Sequence, residues 1–269
     1  MLRFLKSFFR SLRVFIASIP FLYKHKLWIF LLYPLLLFVC FYVLAFFGLA
    51  SLADYVKELF LNFDWIRNIP ENGHFFSFIK KIPDGVIGLL FQLVFKIIFW
   101  WIGTTFLKYI TLIFLSPILS LLSEKVEEKI TGRHFPFLFR QFIRDLLRGL
   151  FINLRNMIIE YTLILVCFVI GFLFPASLLL SVPFLVMVSW YFFGFSIIDY
   201  SLERHKYSKK ESIKFVRKNA GIACGIGFCY WLLSTLPSVL GYLSAIAVAP
   251  VLATIASVVL YIEYGEGKK

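Results

Sequence analysis

Charged residues are scarce in this chain. Asp, Glu, Lys and Arg together make up 16% of its 269 residues, whereas hydrophobic residues make up 61% and aromatic residues 20%. Soluble domains carry about 25% charged and about 45–50% apolar residues. The shortage of charge excludes an ordinary soluble enzyme, and the high apolar content excludes a disordered chain, which needs low hydrophobicity. The composition therefore predicts an integral membrane protein.

Acidic residues are the rarer charged type, with 15 Asp and Glu against 28 Lys and Arg and a formal net charge of +13. A basic balance can indicate nucleic-acid binding, but these basic residues flank apolar blocks and form no separate basic domain. In membrane proteins, excess Lys and Arg mark the cytoplasmic side and the anionic lipid surface. We therefore expect membrane lipids as partners, and no nucleic acid.

Cysteine and histidine are also few. The four cysteines lie singly in charge-free stretches, without a CxxC pair, and the four histidines are scattered. This pattern supports neither a disulfide framework nor a metal site. The sequence also lacks a glycine-rich phosphate loop, a nucleophile elbow and an HExxH motif. We therefore expect a protein that is not an enzyme and that needs no cofactor or metal.

Long apolar blocks divide the chain, which we treat as a single membrane domain over residues 1–269. A helix needs about 20 apolar residues to cross a bilayer, and several blocks reach that length. They predict an all-α fold with two long spans followed by two helical hairpins. The spans are residues 27–53 and 86–123, and the hairpins are residues 161–198 and 220–262.

The segments between these blocks carry most of the charge. Residues 1–20 place four basic side chains on one helical face, which predicts an amphipathic helix lying in the membrane interface. Residues 54–84 have a net negative charge and are expected outside the cell. Residues 124–160, which are amphipathic, and residues 199–218 are basic and are expected in the cytoplasm. Both termini are then cytoplasmic.

The length of the first hairpin block indicates partial insertion. Its 38 charge-free residues contain Pro175 and Pro183 near the middle. Two legs of roughly 14–16 residues remain, or about 22–24 Å of helix, against a hydrocarbon core of about 30 Å. Re-entrant hairpins therefore fit better than four conventional spans, although the second hairpin could cross fully. Re-entrant turns must be buried in protein or face water, which implies an oligomer or a water-lined cavity.

Four segments, in order along the chain, resemble one protein family. They are KLWIFLLYPLLLF (26–38), LSPILSLLSEKVEEKITG (115–132), SIIDYSLERHKYSKKESIKFVRKN (196–219) and ACGIGFCYWLLSTLPSVLGYLSAIAVAPVLATIA (223–256). These segments are similar to the CysZ sulfate-permease family and its eukaryotic etoposide-induced relatives. The resemblance implies a bacterial inner-membrane homo-oligomer with two long spans and two partially inserted hairpins. The activity that it implies is sulfate uptake for cysteine synthesis.

One element of that family is replaced in this chain. Members carry a Gly-Leu-Arg-Arg-type element before the first span, to which the resemblance assigns sulfate binding. The corresponding residues 26–29 are Lys, Leu, Trp and Ile, so the glycine and both arginines are absent. Neighbouring lysines supply charge, but they cannot reproduce the bidentate grip of a guanidinium group on an oxyanion.

Two groups of cations are candidate anion-binding residues. Lys24, His25 and Lys26 lie where an incoming helix offers free backbone amides; a topology signal is the alternative interpretation. Lys96 and Lys108 lie inside an apolar block, where an uncompensated charge costs about 2.5–3.5 kcal/mol. They are expected to face an anion pathway; snorkelling to the surface or a polar oligomer seam is the alternative.

Other charged residues are expected in structural ion pairs. Glu124 has Lys125 and the arginines of residues 140–148 as its nearest candidates. Asp199 and Arg204 are expected to pair with each other at the base of the first hairpin.

These features predict channel-like or permease-like transport of a small anion, with sulfate as the leading substrate. The sequence carries no ATP-binding motif, so transport would be passive or ion-coupled. A non-transporting membrane scaffold that organises lipid is the alternative function. A polar track through the lysines favours transport, whereas a dry interior with charges only at the cytoplasmic rim favours the scaffold.

The predicted topology can be tested by cysteine labelling in a background without the native cysteines. We expect Asn72→Cys to react with a membrane-impermeant maleimide added outside intact cells. We expect Ser208→Cys to react only after the membrane has been opened, because residues 199–218 are basic. Labelling at the opposite faces would contradict the orientation.

Overall fold

The computed structural model describes residues 2–37, 39–40, 86–133, 139–236, 241 and 243–265, with side chains except those of 86–104, 107, 139–142, 145–146, 172 and 175. Every element in these ranges is helical, as the composition predicts. The predicted external loop 54–84 and the first span beyond residue 40 lie outside the described residues.

The chain divides into two units, residues 1–36 with 104–269 and residues 37–103. In the second unit, the structure describes chiefly the beginning of one long helix. The described helices of the chain are α1 (Leu2–Lys24), α2 (Val86–Thr131), α3 (Phe139–Leu173), α4 (Leu178–Arg204), α5 (Lys209–Lys218), α6 (Ala220–Ser234) and α7 (Ala249–Gly265). A 3₁₀ turn at Leu27–Leu31 follows α1, and a π-helical turn at Ser244–Val248 leads into α7.

Several of these helices are long and apolar enough to cross a membrane, so the chain is a multi-pass membrane protein. In the described part of the chain, four stretches meet this test of length and composition: Lys108–Thr131, Leu147–Gly171, Leu178–Arg204 and Ser244–Gly265. The bent pair Leu2–Lys24 and Leu27–Leu37, with 112° between the two helices, passes when taken together.

Helix α2 extends further than the predicted second span. The sequence predicted an end at residue 123, where the charged run begins, but the helix, which includes Pro117, continues to Thr131. It ends at Gly132, which takes the left-handed conformation with φ 71° that glycine adopts without a steric penalty. The charged run stays helical because Glu127 is completely buried against partners on another helix.

The first hairpin also has longer legs than predicted. Helix α3 begins at Phe139, inside the predicted cytoplasmic segment 124–160, and the apolar stretches of the two legs have 25 and 27 residues. At 1.5 Å per residue these reach about 37 and 40 Å. The predicted legs of 14–16 residues are wrong because each was ended at its first charge, Glu160 or Asp199, and both of these are buried within helices. Length therefore gives no support to partial insertion of this hairpin.

The second hairpin is asymmetric. Its first leg, α6, has 15 residues, which corresponds to about 22 Å. Its second leg, Ser244–Gly265, has 22 residues and passes the length test for a span. The short leg agrees with the sequence, in which residues 220–236 separate the start of the predicted second hairpin from Pro237; Pro237 itself lies outside the described residues.

Helix α6 packs closely against two neighbours through glycines. Gly221 and Gly225 lie against α1, and Gly227 lies against α4. A Cβ added at Gly227 would overlap the backbone carbonyl oxygen of Trp190. Small residues permit this approach of helix backbones, which is a common way to pack helices in a membrane.

Helix α1 has three faces rather than the two predicted for an interfacial helix. Its basic side chains, Arg3, Lys6, Arg10 and Arg13, are exposed as expected. A second face of large apolar residues is also exposed, and a third face is buried against the protein. The buried residues are Ser7, Ser11, Val14, Phe15, Ser18 and Leu22. Helix α1 is therefore an integral part of the packed structure, because its small side chains fit against α6.

The turn between α4 and α5 has a defined geometry. The N–H of Tyr207 donates to Leu202 and that of Lys206 to Glu203, at 3.2 and 2.8 Å, which is the bonding pattern of a Schellman motif. Lys206 takes the left-handed position, with φ 60°. Ser208 and Glu211 then cap α5 reciprocally. The pKa of the Glu211 carboxyl is lowered because the Ser208 N–H donates to it.

We expect Gly227→Ala to lower the melting temperature of the purified protein, because the new methyl group would collide with a backbone carbonyl group. Overpacking of this kind costs about 1–3 kcal/mol. Gly149→Ala is the matched control, since its Cβ would meet only ordinary contacts at 3.5 and 3.9 Å. A Gly227→Ala protein that melts at or above the temperature of the control would contradict the packing.

Candidate functional site

Buried charged side chains are concentrated on three helices. In the part of the chain that the structure describes, every buried charged side chain lies on α2, α3 or α4. These residues are Lys108, Glu127, Glu160, Asp199, Glu203 and Arg204. A charge without a partner in an apolar region is costly, so the partners of these groups determine what the site can do. We call the contact region of α2, α3 and α4 the polar seam.

The innermost part of the polar seam is an ion pair between α2 and α3. The Lys108 Nζ atom lies 2.8 Å from each carboxylate oxygen of Glu160. The side chains are only 4% and 1% exposed. Lys108 also donates to the Ser189 hydroxyl on α4 at 2.9 Å, and the Tyr109 hydroxyl donates to Glu160 at 2.7 Å. Three oxygens thus surround the ammonium group, matching its three N–H donors.

Polar contacts continue along the seam from this pair. The Asn156 amide donates to the Ser196 hydroxyl at 3.2 Å, joining α3 to α4. The Tyr200 hydroxyl donates to the Leu112 carbonyl oxygen at 3.2 Å, joining α4 to α2. Both contacts are buried. The seam is therefore polar over several helical turns, although leucines dominate the surrounding α2 surface.

Arg148 organises the first charge cluster at the other end of the seam. Its guanidinium group lies 3.1 Å from Asp199 and 3.4 Å from Glu203, both on α4. It also donates to the Ser212 hydroxyl at 2.7 Å and to the Tyr207 carbonyl oxygen. The Schellman turn and the capped α5 present these last two acceptors. One arginine of α3 thereby binds α4, the following turn and α5.

Glu127 forms the second cluster at this end. Its carboxylate lies 3.1 Å from the Arg204 guanidinium group and 3.2 Å from His205 Nε2. Glu127 is on α2, whereas Arg204 and His205 are at the end of α4. Along α3, Arg148 and Glu160 are twelve residues apart, so roughly 18 Å separates the two ends of the seam.

The predicted ion pair between Asp199 and Arg204 is wrong. Asp199 pairs with Arg148 of α3, and Arg204 pairs with Glu127 of α2. Five residues of α-helix turn the chain by about 140° beyond a full turn, so these two side chains face different neighbours. Both are in structural ion pairs, as expected, but each has a partner on another helix.

Glu124 is half-buried on α2, and its predicted ion pair stays a prediction. Lys125, one of its predicted partners, pairs with Glu128 at 2.9 Å. Lys96 lies within α2, but its side chain lies outside the described residues, so the predicted track through both lysines is described only at Lys108.

The predicted cationic group after α1 lies at a helix end. Lys24 is the last residue of α1, and the His25 ring lies 4.3 Å from the Phe21 ring. The backbone N–H groups of His25 and Lys26 donate to α1 carbonyl oxygens at 3.1 Å. These two amides are therefore not free for an anion, which differs from the expectation. Among the described residues, no hydrogen bond or ion pair joins this group to Lys108.

Sequence reasoning missed the partner of Lys108. Glu160 and Ser189 were not candidates, because Glu160 was assigned to a cytoplasmic segment and Ser189 to an apolar leg. One signal was available: a lysine inside an apolar helix needs a buried acid, and Glu160 directly precedes a charge-free block of 38 residues. Within the described ranges, no group of three or more His, Cys, Asp or Glu side chains is arranged to hold a metal ion.

A comparison with protein families gives a match over most of the chain. The family model described as Sulfate transporter CysZ/Etoposide-induced protein 2.4 matches residues 14–244, which is most of the chain. The matched range includes all the ionisable residues of the polar seam. No curated protein sequence matches the chain.

We expect Arg148→Met to destabilise the protein strongly, because it removes the cation that pairs with the buried carboxylates of Asp199 and Glu203. Removing one partner of a buried pair costs about 3–5 kcal/mol. Arg144→Met is the control, because Arg144 lies one turn earlier and is exposed, where ion pairs contribute about 0–1 kcal/mol. Equal melting temperatures for the two variants would show that Arg148 does not join α3 to α4.

Proposed function

Since the chain belongs to the Sulfate transporter CysZ/Etoposide-induced protein 2.4 family, we propose that it transports a small inorganic anion, with sulfate as the leading substrate. Transport is proposed in place of catalysis. The observation that carries the proposal is the Lys108 ammonium group, which is buried within a stretch long enough to span the membrane. Ionisable residues within membrane-spanning segments commonly line substrate or ion pathways.

The ion pair defines how an anion would bind. Glu160 now takes the position on the ammonium group that an anion would need, so the two compete for Lys108. When Glu160 is protonated or turned away, Lys108 offers its N–H donors, and the hydroxyls of Ser189 and Tyr109 can add two more. Several convergent donors of this kind suit an oxyanion such as sulfate. Glu160 would thus act as an internal competitor for the site.

The exposed lysines after α1 are proposed as an accessory site. Lys24 and Lys26 are exposed, and His25 is half-buried. Their charge raises the local concentration of anions at the membrane surface, although their side chains give no bidentate contact. We assign them a role in attracting the anion, and Lys108 the role of binding it.

The finer architecture is also a proposal. We propose a bacterial inner-membrane protein with both termini in the cytoplasm, assembled as a homo-oligomer. The short helix α6, about 22 Å long by its 15 residues, supports partial insertion of the second hairpin. Helices α3 and α4 expose large apolar side chains, such as Leu165 and Leu179. Either the neighbouring subunits of an oligomer or membrane lipid would cover them.

Sulfate uptake into liposomes containing the purified protein tests the proposal. We expect uptake above that of protein-free liposomes, and a loss of about tenfold or more in Lys108→Gln, because a charge-assisted hydrogen bond contributes about 1.5–3 kcal/mol. Lys125→Gln should transport normally, since Lys125 is exposed and pairs with Glu128 on the same helix. Lys24→Ala/Lys26→Ala should lower uptake less than Lys108→Gln does.

A neutral double variant separates transport from folding. Lys108→Gln/Glu160→Gln removes both charges and leaves no unpaired ion, so it should fold and still fail to transport. Glu160→Gln alone removes the competitor and should bind sulfate more tightly. If folded wild-type protein takes up no sulfate, or the double variant transports normally, the anion site is not at Lys108. The absence of any uptake would favour the lipid-organising scaffold.

A further inference from the structure

A groove beside α1 lies apart from the polar seam. It is bordered by α1 between Arg10 and Phe21, by Ile255 and Val259 of α7, and by Ile130 of α2, and its volume is about 480 Å³. This volume lies within the 300–1,000 Å³ that is usual for ligand sites. Its walls are mainly apolar, and Ile130 remains exposed beside it.

The groove has a charged end and an apolar end. Arg10 forms two contacts of 3.1 Å with Glu263 of α7. Arg13, one turn further along α1, is exposed and makes no ion pair among the described residues. Two guanidinium groups against one carboxylate leave one net positive charge at this end. Beyond Arg13, the lining of α1 continues with Ala17, Ser18 and Phe21, which carry no charge.

The charged end lies at the same level as the charge clusters of the polar seam. The Tyr261 ring, half a turn before Glu263, lies 4.4 Å from the His205 ring, and His205 binds Glu127. From the level of Glu263 the groove continues along α7 past Val259 to Ile255. This part of α7 belongs to Ser244–Gly265, the most buried of the four candidate spans. Between Arg10 and Phe21, α1 rises by roughly 16 Å. The groove therefore runs from a polar level into an apolar level.

From this polarity we infer that the groove binds one anionic phospholipid, with its phosphate at Arg10 and Arg13 and an acyl chain along Ala17, Phe21 and Ile255. Guanidinium groups bind phosphate through paired N–H donors. The apolar walls match a chain but offer nothing to a free anion beyond the two arginines. Glu263 holds Arg10 in place until the phosphate competes for it. The inference does not depend on sulfate transport.

Native mass spectrometry of the purified full-length chain tests the site with defined lipids. The probes are phosphatidylglycerol, phosphatidylcholine with the same acyl chains, and glycerol phosphate, which has no chain. We expect phosphatidylglycerol to bind more tightly than phosphatidylcholine, and glycerol phosphate to bind least. Arg13→Gln should reduce the binding of phosphatidylglycerol by about tenfold, the effect of losing one charge-assisted contact.

Matched variants on α1 separate the groove from general effects of charge and bulk. Lys6→Gln removes the same charge from the exposed basic face outside the groove and should leave the preference unchanged. Ala17→Trp fills the groove and should abolish binding, whereas Ile16→Trp adds the same bulk on an exposed position outside it. Melting temperatures in matched detergent establish that each variant is folded.

Four outcomes would overturn the inference. Equal binding of the two lipids would show that the arginines do not select an anionic headgroup. Equal losses in Arg13→Gln and Lys6→Gln would show a diffuse surface charge. Glycerol phosphate binding as tightly as phosphatidylglycerol, or a change of oligomeric state in Ala17→Trp alone, would assign the groove to a free anion or to a second copy of the chain.

Discussion

Burial of charge in an apolar region is the constraint on which the described structure depends. Three helices meet in three pairs, and each pair is joined by an ion pair: α2 to α3 by Lys108–Glu160, α3 to α4 by Arg148–Asp199, and α2 to α4 by Glu127–Arg204. Two helices that pack through leucines can shift along each other at little cost. A buried charge, by contrast, is stable only when the two helices are aligned so that its partner lies within reach. These pairs therefore define the relative positions of the three helices, and apolar packing fills the space between them.

The same constraint decides what could be predicted from the sequence. Composition and apolar length are sums over many residues, so the all-helical fold, the membrane class, the family and the approximate places of the hydrophobic helices were predictable. Helix ends were not, because charges such as Glu160 and Asp199 were taken as boundaries, whereas a paired charge can lie inside a helix. Lys108 was identified from its isolation in an apolar block. Its partner was not identified, because a contact across 52 positions of sequence depends on how the helices assemble.

The two ends of the polar seam differ in the task that their geometry suits. Around Arg148, four groups from α4, the following turn and α5 are bound to one guanidinium group, so any movement would break several contacts at once. Around Lys108, a single carboxylate and a single hydroxyl hold the ammonium group. The first arrangement resists change, and the second can exchange a partner. A rigid end and an exchangeable end on the same helices are compatible with a site that opens without unfolding the bundle.

The serines on the buried face of α1 bear on how the protein is made. Ser7, Ser11 and Ser18 donate to carbonyl oxygens of their own helix, at 2.9, 2.6 and 2.9 Å, so these hydroxyls need no partner from α6. Helix α6 begins at Ala220, and ribosomes add about 5–20 residues per second. Roughly 10–40 s therefore pass between the synthesis of α1 and the synthesis of α6, its packing partner. During that interval the serine hydroxyls of α1 are already hydrogen-bonded within their own helix. Helix α1 can therefore stay at the membrane surface until the glycines of α6 against which it packs have been synthesised.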